Sequence, residues 1–444
     1  RLYENTKVLT ETYRAIVRAT YDHQPITPAA EWLLDNFHVV DEQIREIKDD
    51  LPPGYYRKLP KLADGPLQGY PRVMGIAWAL VAHTDSAFDI EKLTRFVEAY
   101  QRVQPLTIGE LWALAITIRI TLVENLRRLA EAIVARLSAG LLADTLSDRV
   151  LGTGDRDPEP ASAILASLEQ VPWSTAFAVQ LSQRLRDRDP DTTPALRWLN
   201  DRLGAEDTTT DRIVRDEVQR QSAMNVTVRN VITSMRLVSM INWAEFFESV
   251  SPVDAIMRAG SDFAAMDFPT RDLYRRAIEE LARGSGREET EIARRAIASA
   301  KRAGSGRESD PGYYLIAKGR PAFEKALASR VKLRTRLFRL NSNIGVMSYV
   351  GMIAIVTAIV LGLALIAVAH AGIGGWMFVA LAIAGLVPAS DIAVAVVNRS
   401  ITGHVGATLL PGLELRDGVP SELRTIIVVP TLLTGISAIE EQIE

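Results

Sequence analysis

The sequence predicts a mainly α-helical chain in three parts: an all-helical block, a two-span transmembrane helical hairpin, and the first βα unit of an α/β domain. Three observations predict it. Residues 340–390 are 51 positions without a Lys, Arg, Asp or Glu, in a chain of 444 residues that is 24% charged. Upstream, to about residue 329, apolar residues recur at the three-to-four spacing of helix faces. Downstream, residues 423–434 (LRTIIVVPTLLT) form a β-branched run closed by proline.

The uncharged stretch comes first because it constrains the rest. At about 1.5 Å per helical residue it is about 76 Å long, too long for one crossing of a hydrocarbon core about 30 Å thick and right for two. His370, Gly372, Gly374 and Gly375 interrupt it. A hairpin follows, Gly345 to Ala369 outward and Gly374 to Val397 in return. A buried hydrophobic hairpin inside a large soluble protein is the alternative. Arg330, Lys332, Arg334, Arg336 and Arg339 precede the first span, Arg399 follows the second, and the turn carries no charge. Cations gather on the cytoplasmic side, so both ends are expected there. Asp391 sits near the returning end, where a charge costs less than at the bilayer centre. Pro388 is expected to kink or end the second helix.

In the helical block, Thr27 and Pro28 read as cap and first helical position, with Leu33, Phe37, Val40 and Ile44 along one face. Residues 107–141 carry Glu110, Arg119, Glu124, Arg127 and Arg128, which marks an amphipathic helix and not a third span. Residues 51–56 and 65–71 are Pro/Gly turns. Residues 151–160 and 302–312 are polar and read as loops or seams. Beyond the hairpin, the Ile/Val run suits a strand buried on both faces. Gly435 to Glu444 then reads as the helix after it, with Ser437 as cap and Glu440 three residues on.

Composition excludes several classes. A net charge of −3 argues against a nucleic-acid protein, and the lack of cysteine removes disulfide and thiolate chemistry. The chain starts at Arg1 and stops inside a pattern, so it reads as a piece of a longer polypeptide. His23, His38 and His83 have no metal-ligand spacing. Asp155 with Asp157, and Asp187 with Asp189, resemble the Asp-x-Asp of sugar-nucleotide transferases, but they lie in loops far from the candidate strand. The glycine pairs at 152–154 and 284–286 lack the strand and lysine of a phosphate loop. Trp32, Trp78, Trp112, Trp198 and Trp243 are expected in the core more than as a sugar-stacking platform. Glu110, Glu245 and Glu248 form a conceivable carboxylate set for glycoside cleavage, though solvated helix faces explain them more simply. No catalytic or metal-ligating residue is assigned.

Taken together, residues 22–40 (DHQPITPAAEWLLDNFHVV), 50–56 (DLPPGYY), 61–72 (KLADGPLQGYPR), 104–113 (QPLTIGELWA), 259–277 (AGSDFAAMDFPTRDLYRRA) and 425–434 (TIIVVPTLLT) resemble the bacterial cyclic β-1,2-glucan synthases. The resemblance implies a large multi-pass inner-membrane enzyme that polymerises glucose from UDP-glucose, with a divalent cation (Mg or Mn). Its further domains, a glycosyltransferase and phosphorylase-like domains of the same polypeptide, are the implied partners besides the lipid bilayer; no nucleic acid is. On that pattern the boundaries are 1–329 for a cytoplasmic helical domain and 330–344 for a basic approach to the membrane. The spans are 345–369 and 374–397 around a periplasmic turn at 370–373, and 398–444 is the linker and truncated start of the glycosyltransferase domain.

The metal motif, the catalytic base and the glucan-carrying residue would then lie after Glu444. In such folds ligands sit at the carboxyl ends of strands, here Val429, Pro430 and Thr431, which are the candidate UDP-glucose contacts. Many related transferases have an acidic residue where this chain has Thr434. The fragment alone is expected to be inactive. The rival from another class is a non-catalytic, membrane-tethered helical scaffold, and a third is a glycoside-processing enzyme with its acids in the helical block.

Overall fold

The computed structural model describes residues 2–50, 54–152, 159–170, 173–186, 193–331, 346–404, 410–415, 418–419, 421 and 424. Among these the regular structure is helical, and the only β pairing is two isolated bridges. The contacts divide into two compact units, Arg1–Pro252 and Val253–Glu444. The predicted βα unit lies outside the described residues apart from Arg424.

The first unit contains α1 (Leu2–Tyr21), α2 (Pro28–Asp35), α3 (Phe37–Asp50), α4 (Arg72–His83), α5 (Ile90–Gln101), α6 (Ile108–Leu151), α7 (Ala161–Gln170), α8 (Thr175–Arg184), α9 (Pro194–Ala205), α10 (Thr210–Met240) and α11 (Trp243–Val250). Its spine is α6, 44 residues and about 66 Å long. Helices α1, α3, α4, α8 and α10 pack on it. Thr107 and Glu110 close a capping box that satisfies two orphan donors at its start. From Ile108 to Leu126 the helix is buried on most sides, and beyond Arg127 mainly on one. The amphipathic pattern predicted for 107–141 therefore belongs mostly to its second half. That half, with α7, α8, α9 and the start of α10, forms a separate apolar cluster around Phe177, Leu181, Leu199 and Leu168.

The start of α2 matches its prediction: the Thr27 hydroxyl accepts the Ala30 N–H at 3.3 Å. Its continuation differs. One helix was expected through Ile44, whereas the chain breaks at Asn36 and restarts as α3. The Asn36 side chain donates to the Trp32 carbonyl at 2.8 Å, an example of a short amide competing with the helix ladder. Leu33, Val40 and Ile44 are buried, and the half-buried Phe37 stacks on Tyr13 at 4.4 Å.

The second unit contains α12 (Pro252–Gly260), α13 (Phe268–Ser285), α14 (Glu289–Ala303), α15 (Pro311–Leu315), α16 (Arg320–Ala326), α17 (Val346–His370) and α18 (Trp376–His404). Helices α13 to α15 pack mutually around Ile278, Leu281, Ile292 and Ala296. A buried Arg275–Asp254 pair ties α13 to α12 through bonds of 3.0 and 2.6 Å. Gly312 sits against the Tyr274 ring, where a Cβ would lie 2.0 Å from the hydroxyl oxygen. That hydroxyl donates to Asp310 at 2.7 Å. Burial first, and then the Asp310 carboxylate, push its pKa up.

Candidate functional site: a membrane hairpin and the seam at its ends

Both α17 and α18 are long and apolar enough to cross a membrane, and few of their residues are buried. Their boundaries shift by one to seven residues from the sequence reading, with the turn at 371–375, where Gly372 and Gly375 take positive φ of 80° and 68°. Ile355, Ile359, Leu363, Ile383, Leu386 and Val387 point outward. The contact between the helices uses small residues: Ala389, Ala393 and Val397, at four-residue intervals on α18, are buried. Gly385 continues the row, its hypothetical Cβ 3.0 Å from Leu361. Small residues at this spacing let two helices approach where no hydrophobic effect drives them together. Tyr349 donates to Asn398 at 2.8 Å across the open end. Pro388 does not end α18, which runs on to His404. A membrane helix tolerates a proline when its neighbour shields the freed backbone.

The chain is held at both flanks of the hairpin. Ahead of it, the Arg330 N–H donates to the Gly284 carbonyl at 2.9 Å, so Gly284 is a helical residue of α13 and no phosphate loop. Behind it, residues 412–414 return to the start of α13. Asp267 N–H donates to Gly412 O at 3.1 Å, Glu414 N–H to Ala265 O at 2.9 Å, and Met266 and Leu413 form an antiparallel bridge. Gly412 N–H donates to the Thr270 hydroxyl at 2.8 Å. That hydroxyl and the Thr270 N–H bond the Asp267 carboxylate, which with Arg271 nearby holds its pKa below the usual carboxylate value. The buried Arg271 guanidinium bonds the Met266 carbonyl and reaches Glu414 at 3.2 Å. We find no sequence signal that pairs these residues, which lie more than 140 positions apart.

The candidate nucleotide contacts Val429, Pro430 and Thr431 lie outside the described residues. So do Asp155, Asp157, Asp187, Asp189 and four of the five basic residues before the first span. His23, His38 and His83 are exposed on separate helices or loops. Glu110 departs from its expected solvated face: it is fully buried, and Arg72 grips both its oxygens at 2.8 and 2.6 Å. The Thr107 N–H also bonds it, at 3.0 Å, so this carboxylate is committed to structure. Glu245 is exposed near the start of α11. The five tryptophans are half-buried, at the margins of the core and not within it. Among the described residues no group of three His, Asp or Glu is placed to hold a metal ion.

The chain is 35% identical, over 446 aligned positions and 99% of its length, to the cyclic beta-(1,2)-glucan synthase NdvB of Rhizobium meliloti (strain 1021). It is a fragment-level match to that synthase. The chain spans 16% of NdvB's length, and no family model matches it. The aligned region takes in both units, the hairpin and the seam, so every structural feature described above falls within the match.

Proposed function

We propose that this chain is the anchoring and bracing segment of a membrane-bound glycosyltransferase that polymerises glucose into cyclic β-1,2-glucan. The observation that carries the reading is the identity to NdvB along essentially the whole chain. UDP-glucose is the donor in this reading. The donor and its divalent cation are assigned chiefly to other parts of the synthase, with Val429, Pro430 and Thr431 at the edge of the nucleotide site. The partners are the bilayer and the transferase and phosphorylase-like domains of the same polypeptide.

The location is the inner membrane, with both flanks of the hairpin cytoplasmic. The seam supports that topology. Residues 265–271 precede the first candidate span and 412–414 follow the second, and their mutual hydrogen bonds support a topology with both flanks on one side of the bilayer. Arg330 and Arg399, at the open end, favour the cytoplasmic side. In this reading the seam sets the direction in which the chain leaves the hairpin toward the transferase domain. A brace of this kind serves catalysis by orientation, since small displacements of reacting groups cost large factors in rate.

The test uses the full-length parent in membranes with radiolabelled UDP-glucose, beside the Gly412→Ala variant. A Cβ at that position would stand 2.8 Å from an Asp267 oxygen. The parent should incorporate label into β-1,2-glucan, and the variant should insert normally yet incorporate several-fold less. A parent that leaves UDP-glucose untouched would refute the synthase reading. A fully active variant would remove the brace from it.

A further inference from the structure

In the first unit a cavity of about 400 Å³ opens beside the buried half of α6. It lies among the end of α3, the turn at Tyr55, α6 and α11, and falls within the range of about 300–1,000 Å³ typical of small-molecule sites. Its walls are mainly Tyr55, Trp112, Ile116 and Trp243, and its polar groups are Arg119 and Asp50. Trp112, Ile116 and Arg119 share one α6 face by their four- and three-residue spacing.

Each ring is held by a partner outside the cavity. Tyr55 donates to the Gly109 carbonyl at 2.7 Å, Trp112 stacks on Phe247 at 4.6 Å, and the Trp243 indole donates to Val238 O at 2.9 Å. Arg119, 9% exposed, is held by Glu46 at 3.0 Å and Asp50 at 3.4 Å. Its buried Nε–H finds no acceptor among the described residues. Enclosed in this way, the Nε–H is not itself a ligand contact; Arg119 meets the cavity with the rest of its guanidinium.

Charge narrows the ligand. One guanidinium faces two carboxylates, so the cluster carries a net negative charge and disfavours nucleotides, phosphates and acidic headgroups. Both carboxylates share the same cation, and neither is set apart as an acid for bond cleavage. What remains is apolar ring faces beside one donor and one mostly exposed acceptor. A neutral pyranose suits this: its C–H faces lie against aromatic rings, and its rim hydroxyls both donate and accept. We propose that this cavity binds a neutral glucan segment; its linkage, β-1,2, rests on the function proposed above. The glucose chain packs on Trp112 and Trp243, with its hydroxyls donating to Asp50 and accepting from Arg119.

The experiment titrates the purified full chain in nanodiscs with a short linear β-1,2-glucan. Tryptophan fluorescence and saturation-transfer NMR are the readouts. Saturable binding is expected, weakened roughly ten-fold by Trp112→Leu and less by Asp50→Asn, whose mostly exposed amide oxygen still accepts from Arg119. UDP-glucose should not compete. Absence of saturable binding, or unchanged affinity in both variants, overturns the site; equally tight binding of an α-1,4-glucan overturns its linkage. Glucan synthesis by the full-length parent is measured separately. Synthesis without binding sinks the cavity proposal alone, and binding without synthesis sinks the enzyme reading alone.

Discussion

The helical packing ahead of the hairpin and the two candidate membrane spans of the hairpin use the same aliphatic side chains in opposite directions. In the first, Leu, Ile and Val fill the interior, and even charges go inside when paired, as Arg72 with Glu110 and Arg275 with Asp254. In the second, Ile and Leu face outward, while alanine, glycine and a threonine hydroxyl bonded to its own helix lie at the contact. The difference is the one expected between a water-facing fold and a pair of candidate membrane spans. Water drives large apolar groups inward. Hydrocarbon gives no such drive, so close approach of small residues holds the helices together.

The largest break in this contrast should come from splitting a buried pair. Asp254→Ala leaves the Arg275 guanidinium in a fully buried site without its bidentate partner. Removing one member of such a pair costs about 3–5 kcal/mol. Denaturant unfolding of the detergent-solubilised chain should show the second unit destabilised by that order; a loss below about 1 kcal/mol would mean the pair is hydrated. The hairpin should respond to size instead. Ala393→Leu overpacks a fully buried contact and should cost about 1–3 kcal/mol of helix pairing. Ile359→Leu, on the outward face, should change pairing by less than about 0.5 kcal/mol. Cross-linking yield between cysteines introduced at Tyr349 and Asn398, in a chain with none of its own, separates the two. Equal losses would place the outward face against protein and not lipid.

What the sequence made legible follows from range. The hairpin was visible because a bilayer imposes a length and a charge rule on consecutive residues. The cap at Thr27 is visible for the same reason, since a cap acts over three residues. Asn36 was missed because side-chain competition with the helix ladder leaves the apolar spacing on both sides intact. Glu110 leaves its expected solvated face because burial of a carboxylate depends on Arg72, 38 positions away. The seam is the extreme case. Residues 259–277 resemble glucan synthases, yet nothing within them announces that Thr270 and Arg271 receive Gly412 and Glu414. The resemblance located the segment, and only packing showed its work.

A small expected effect tests the seam without altering its size. Asp267 accepts from the Thr270 hydroxyl and N–H and has Arg271 near it, so its pKa is depressed in the folded chain. An unfolded aspartate titrates near about 3.9. Between the two values the unfolded chain binds more protons than the folded one, so stability rises with pH across that window. The contribution is complete above the unfolded value and fades as pH falls through the depressed one. Asp267→Asn keeps the helix cap but removes the charge, so it should cost no more than about 1 kcal/mol at pH 7. Denaturation midpoints of wild type and variant should then converge as the pH drops below the ordinary carboxylate range. A gap that persists unchanged into that acid range would mean the Thr270 relay holds Gly412 through shape alone, with no help from the charge beneath it.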